Sequence, residues 1–132
     1  MADLKIIEEL INRDPFINYV GIKTRIVEPG KAEAILDIQE KHLRLGGILN
    51  GGVISTLVDT AGGAAILSLS ERNQVTINLD INFLAPISKS PAKAIGTVIK
   101  TGKTIYVARV EIFDGEGKLC AYATGSWFIF KD

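Results

Sequence analysis

Between Leu45 and Ser70 the sequence is apolar and rich in glycine, and Asp59 is the only charged residue in it. A carboxylate among Leu57, Val58 and Ala61 loses its hydration unless it is paired or faces a wet cleft. Acids in such surroundings cluster at functional sites. The bland alternative is an Asp59 that faces solvent or makes a structural pair. A second feature precedes it. Asn50-Gly51-Gly52 stands where a helix containing Asp59 must begin. Asparagine is a strong N-cap, and the amides after it have no intrahelical partner. Such amides polarise a carbonyl and stabilise an oxyanion; the same residues also read as a cap and a permissive turn. Asn50 and Asp59 are nine residues apart. At about 100° and 1.5 Å per residue they fall on opposite helix faces, roughly 13 Å apart. They cannot act on one bond within one chain, so a catalytic reading requires two copies.

Other chemistries lack the residues. His42 is the only histidine and Cys120 the only cysteine, so no His/Cys metal cluster is expected. A serine or cysteine triad would need His42 as its base, and no glycine-flanked nucleophile elbow accompanies it. No dinucleotide-binding or P-loop pattern is present. Cys120 alternates with Tyr122 in an apolar strand and reads as packing. A lone cysteine permits no internal disulfide and suits a reducing compartment. Fifteen basic residues balance fifteen acidic ones, so no field favours nucleic acid or an anionic membrane. Asp3, Glu8 and Glu9 interrupt the N-terminal segment, which argues against a signal peptide and for a cytoplasmic location. The central apolar stretch reaches membrane-crossing length but holds glycine pairs, Asn50, Ser55, Thr56 and Asp59, and reads as a buried helix.

The elements that position these residues follow from periodicity. The 132 residues form one expected domain, 1–132. Leu4, Ile7, Leu10 and Ile11 recur at helical spacing after a capping Asp3, and Asp14-Pro15 ends that helix. Ile22, Thr24 and Ile26 alternate, Pro29-Gly30 turns the chain, and Ala32, Ala34, Leu36 and Ile38 alternate back as a hairpin. Residues 39–47 read as loop. After the central helix come four strands. The first puts Val75, Ile77, Leu79, Ile81 and Phe83 on one face and Thr76, Asn78, Asp80 and Asn82 on the other. The rest run over about 92–100, 105–113 and 119–130, with short connections implying antiparallel neighbours. A helix apolar nearly all round must be buried on most sides, and a curved sheet of about six strands wrapping it is the economical α+β solution. Gly62-Gly63 costs about 1 kcal/mol per residue relative to alanine, which implies close approach of the enclosing sheet or of a partner.

The stretch HLRLGGILNGGVISTLVDTAGG, His42 to Gly63, resembles the active-site segment of PaaI-type hotdog-fold acyl-CoA thioesterases. The resemblance extends through VTINLDINFLAPI and KTGKT and covers nearly the whole chain. It implies a hotdog fold and hydrolysis of acyl-CoA, with coenzyme A as part of the substrate and neither metal nor cofactor. Carried over, Gly51 and Gly52 supply the amide that polarises the thioester carbonyl, and Asp59 acts as nucleophile or as base on water. Thr76 helps orient the water or the acid. Phe83, Leu84, Ala85 and Pro86, through Ser88, and Thr101, Gly102, Lys103 and Thr104, through Tyr106, line the coenzyme A channel, with Lys100 and Lys103 near its phosphates. Two positions depart from the family. Asn50 replaces its usual histidine, so it caps and donates but cannot titrate. Arg44 replaces its usual asparagine, and either shields Asp59 of a neighbouring subunit or binds an acidic acyl group or phosphate. The expected assembly is a homodimer at minimum, within a tetramer. A non-catalytic module binding acyl-CoA or a related apolar ligand is the alternative, and a hotdog dehydratase the weakest reading, for want of a histidine at Asn50.

Overall fold

The computed structural model describes residues 3–131. Asp3 accepts from the Lys5 amide and caps α1 (Leu4–Ile11). Asp14-Pro15 ends this helix and also begins another. The Asp14 carboxylate accepts from the Phe16 and Ile17 amides, and Pro15 sits where no amide hydrogen is needed. The resulting α2 (Pro15–Val20) stops at Gly21, whose φ of 96° a side chain would oppose.

Eight strands follow in two sheets. The main sheet holds β1 (Ile22–Glu28), β2 (Lys31–Leu36), β5 (Gln74–Phe83), β6 (Ala92–Thr101), β7 (Ile105–Phe113) and β8 (Leu119–Ile129). Its order is β1-β2-β6-β7-β8-β5, and every pairing is antiparallel. The short connection after β5 does not make β5 and β6 neighbours. The chain leaves β5 at Leu84, crosses through the Pro86 and Pro91 breaks, and enters the far half of the sheet, leaving β5 on the edge beside β8. Residues 39–47 are more ordered than a loop. A single turn at Glu40–His42 leads into a small hairpin of β3 (Leu43–Arg44) and β4 (Ile48–Leu49).

The central helix, α3 (Gly51–Ser70), packs across the sheet as its composition requires. Long and apolar enough to cross a membrane by composition, it is instead a core helix with most of its length buried. Leu57, Val58, Ala61, Ala65 and Ile66 have no solvent exposure. Each fully buried leucine, isoleucine or valine contributes about 1.5–3 kcal/mol relative to its exposed state. The small residues set the spacing. A Cβ on Gly96 of β6 would lie 2.4 Å from the Ala61 carbonyl oxygen, and one on Gly62 would lie 2.5 Å from the Trp127 ring. The close approach expected at Gly62-Gly63 is therefore made by the enclosing sheet.

One expectation about β5 fails in an instructive way. Its apolar residues do not share one face, because the register against β8 shifts between Thr76 and Asn78. That bulge inverts the alternation. Leu79 and Ile81 pack on the core, whereas Val75 and Ile77 stay half exposed, and Gln74 and Thr76 turn toward α3.

The two sheet edges also differ. The β1 edge is closed by α1 side chains: Asn12 donates to the Thr24 carbonyl and accepts from its amide, and Glu8 accepts from the Ile26 amide. Among the described residues nothing pairs with the outer edge of β5.

Candidate active site

Asp59 lies half buried on α3, and its Oδ1 accepts a hydrogen bond of 2.6 Å from the Thr76 hydroxyl. Two turns of sequence logic meet here. The helix carries the carboxylate in its apolar run, and the β5 bulge swings a threonine under it. Among the described residues no cation pairs with Asp59, and its Oδ2 has no hydrogen-bond donor. One turn further along the helix, Gln74 donates to the Gly63 carbonyl at 2.8 Å, a second tie between β5 and α3.

These groups form one side of a cleft of about 800 Å³. Thr56, Asp59 and Gly63 from α3 face Thr76 and Trp127 from the sheet, and α1 and α2 build the opposite wall with Leu10, Arg13 and Phe16. A volume of this size suits a small organic group. The N-terminal helices were not singled out as part of the site from sequence. Their signal was the apolar spacing of Leu10, Phe16 and Ile17 on either side of Asp14-Pro15.

The start of α3 is a separate place. The Asn50 side chain accepts from the Gly52 amide at 2.7 Å, as an N-cap should. The Val53 and Ile54 amides bond the Asn50 carbonyl. Of the first four helical amides, that of Gly51 alone has no partner among the described residues. The expected Gly51-Gly52 pair is thus unequal: one amide is taken by the cap, and one is free. Phe83 at the end of β5 stands about 3.8 Å from where a Gly51 Cβ would be. None of Asn50, Gly51 and Gly52 lines the Asp59 cleft.

The remaining candidates divide between the two ends of the sheet. Phe83 pairs with Ala121 at the start of β8, and Leu84 and Ala85 donate to the Cys120 carbonyl, which puts Phe83, Leu84, Ala85 and Pro86 at the Gly51 end. At the other end lies the β6–β7 hairpin. There Thr101 pairs with Tyr106, the Gly102 amide bonds the Ile105 carbonyl, and the Thr104 carbonyl accepts from Ile129. Lys100 and Lys103 are exposed there. Arg44 belongs to neither group. It is exposed on β3, and its guanidinium donates to the Leu45 carbonyl at 2.6 Å.

His42 and Cys120 are structural. The His42 Nδ1 accepts from the Gln39 amide at 2.9 Å, so the Nε2 carries the hydrogen and donates to the Val20 carbonyl at 2.6 Å. Both nitrogens are occupied. Burial pushes the Cys120 thiol up from its ordinary value, which keeps it protonated and inert. Among the described residues no cluster of His, Cys, Asp and Glu is placed to hold a metal ion.

Residues 46–121, which span the α3 start, Asp59 and Thr76, match the sequence profile of the thioesterase superfamily. The chain belongs to that superfamily. A candidate esterase of Saccharolobus solfataricus is 38% identical over 130 residues, covering 97% of this chain and 93% of its own. A second from the same organism is 35% identical over 133 residues, covering 100% and 89%. Among solved structures, the phenylacetic acid degradation protein PaaI of Thermus thermophilus superposes with a TM-score of 0.81 at 27% identity, covering 89% of this chain and all of that one. A thioesterase from Haemophilus influenzae superposes at 0.87 with 22% identity over 99% and 92% of the two chains, a likeness of fold. The protein is therefore a PaaI-like hotdog member of a thioester-hydrolysing superfamily, with the wrapped helix and six-stranded sheet expected of it.

Proposed function

We propose that this thioesterase-superfamily protein hydrolyses acyl-CoA at a site shared by two copies of the chain. The observation that carries the reading is the 2.6 Å bond from Thr76 to Asp59 inside a cleft. It fixes one carboxylate oxygen and leaves the other free to act. The acyl carbonyl would rest on the free Gly51 amide of the other copy. Oδ2 of Asp59 takes a proton from water as the water oxygen attacks the carbonyl carbon. Alternatively Oδ2 attacks directly, and water then opens the resulting anhydride. In either case the carbonyl oxygen becomes an oxyanion on the amide. Collapse breaks the carbon–sulfur bond, and the thiolate leaves and takes up a proton. Coenzyme A enters as part of the substrate, and neither metal nor cofactor is invoked.

The sheet edges support the shared site. A two-fold axis through the middle of the unpaired β5 edge would set two β5 strands antiparallel. Phe83 and Gly51 of one copy would then sit beside Thr76 and Asp59 of the other. The phosphates would meet exposed Lys100 and Lys103. Half-exposed Ile105, Tyr122 and Phe128 offer apolar surface by which two dimers would join as a tetramer in the cytoplasm.

The test is thiol release from a panel of acyl-CoA thioesters, with Asp59→Ala alongside. We expect turnover that falls about 100- to 10,000-fold in the variant, the range for a lost acid–base group. Binding without thiol release at any chain length would leave a non-catalytic acyl-CoA module. Release that survives Asp59→Ala would remove that residue from the mechanism. In single-turnover hydrolysis in heavy-oxygen water, label on Asp59 identifies direct attack with water opening the anhydride at the Asp59 carboxyl carbon, whereas the general-base route puts label only in the released acid.

A further inference from the structure

The cleft that holds Asp59 has a second charged feature that hydrolysis does not use. Arg13, in the turn between α1 and α2, lines it. Its guanidinium makes no hydrogen bond or ion pair with any described residue. The neighbouring Asp14 also lines the cleft; its Oδ1 accepts from the Phe16 and Ile17 amides, which holds it at the start of α2, and it forms no ion pair with Arg13. Among the described residues the exposed Arg13 is the only cation lining the cleft, beside the acids Asp14 and Asp59, and the rest of the lining is largely apolar, with Leu10, Phe16, Leu67 and Val75. None of Phe83, Leu84, Ala85, Pro86 and Lys100 to Thr104, the residues expected to meet coenzyme A, lines this cleft. If the carbonyl carbon sits at Asp59 and coenzyme A leaves elsewhere, the cleft holds the acyl chain.

We propose that Arg13 receives an anionic group at the far end of the acyl chain, so that the preferred substrates are ω-carboxyacyl thioesters with an apolar stem. The stem packs against Leu10, Phe16 and Leu67, and the guanidinium takes the carboxylate in the two-pronged geometry for which arginine is suited. This rests on the thioester reading above. A phosphate of coenzyme A presents similar chemistry to a guanidinium, so the test separates the two sources.

Succinyl, adipyl and suberyl thioesters are compared with butyryl, hexanoyl and octanoyl thioesters, each as the coenzyme A and as the N-acetylcysteamine derivative. The quantity read is the ratio of kcat/KM for the diacid chain to that for the neutral chain of equal length. We expect wild-type protein to favour the diacid. Arg13→Ala should lower the ratio about tenfold or more, Arg13→Lys should lower it less, and added salt should erode it. The fall should persist without coenzyme A. Lys23→Ala, which removes an exposed charge on β1, should leave the ratio unchanged.

A wild-type preference for the neutral chain, or a ratio indifferent to Arg13, overturns the proposal. So does a loss confined to the coenzyme A series, which would place a phosphate on Arg13. So does a fall caused by Arg44→Ala instead. Binding separates this proposal from the catalytic one. In Asp59→Ala protein, Arg13→Ala should raise the Kd of a non-hydrolysable ω-carboxyalkyl-CoA thioether about tenfold relative to the alkyl thioether, whether or not any thioester turns over.

Discussion

The two halves of the candidate site are built by opposite means. Around Asp59 the chain supplies an enclosure: a helix in the core, a bulged strand that swings Thr76 beneath the carboxylate, and two N-terminal helices that wall the cleft. Around Gly51 it supplies almost nothing but backbone, a free amide at a helix start with the Phe83 ring beside it. A buried carboxylate needs partners to hold it in place, so its own fold must provide them. An oxyanion donor needs only an oriented N–H, which every helix start has ready, so it can be presented to another copy. The difference explains why one half lies in a cleft and the other on the surface next to an open strand edge.

The largest test of that comparison removes one hydrogen. Gly51 is the first helical residue, and proline is well accepted there. The backbone of Asn50, at φ −63° and ψ 135°, already suits a following proline. Gly51→Pro should therefore keep the fold and lose about 100- to 1,000-fold in kcat, the usual cost of an oxyanion donor. Gly51→Ala, which keeps the N–H, should stay active. Mixing Gly51→Pro chains with Asp59→Ala chains gives the sharper outcome. Random pairing makes half the dimers mixed, and each mixed dimer has one intact site, so activity should return to about a quarter of wild type. No recovery after subunit exchange would place the whole site within one chain.

A smaller loss is expected within the Asp59 half. Thr76→Val keeps the shape of the side chain and deletes the hydroxyl that donates to Oδ1. Hydrogen bonds to charged groups contribute about 1.5–3 kcal/mol. We expect kcat to fall roughly tenfold or somewhat more with little change in KM, and Thr76→Ser to restore most of it. A change confined to KM would make Thr76 a contact of the substrate rather than a positioning residue for Asp59.

These two halves were not equally legible in the sequence. The isolated charge of Asp59, the cap at Asn50 and the helical phase between them could be read directly, because each follows from local chemistry and a fixed rise per residue. The helix, the sheet and their order of appearance were likewise written in periodicity. Three things were not. The β5 bulge hid the inward turn of Thr76, since an extra residue in a strand leaves no mark on alternation read from one strand alone. The division of labour between the Gly51 and Gly52 amides depended on where the Asn50 side chain points. The cleft wall from α1 and α2 was a tertiary contact with a helix that begins more than thirty residues later in the sequence, and Asp14-Pro15 signals a stop and a start with the same two residues.

The smallest effect concerns the spacing that keeps the Asp59 half closed. Gly62 faces Trp127, which is 1% exposed and lines the cleft. Gly62→Ala gains about 1 kcal/mol of helix propensity. It also drives a methyl group to 2.5 Å from a ring atom in the core, and overpacking of this kind costs about 1–3 kcal/mol. The ring is wedged between helix and sheet and has no exposed direction in which to move, so the clash should win. Urea denaturation should show a net loss of about 1 kcal/mol, with a modest fall in activity as Trp127 shifts in the cleft wall. A gain of the full propensity term would mean that Trp127 relocates freely. The enclosure around Asp59 would then be looser than the contrast with Gly51 requires, and the two halves would differ in position but not in rigidity.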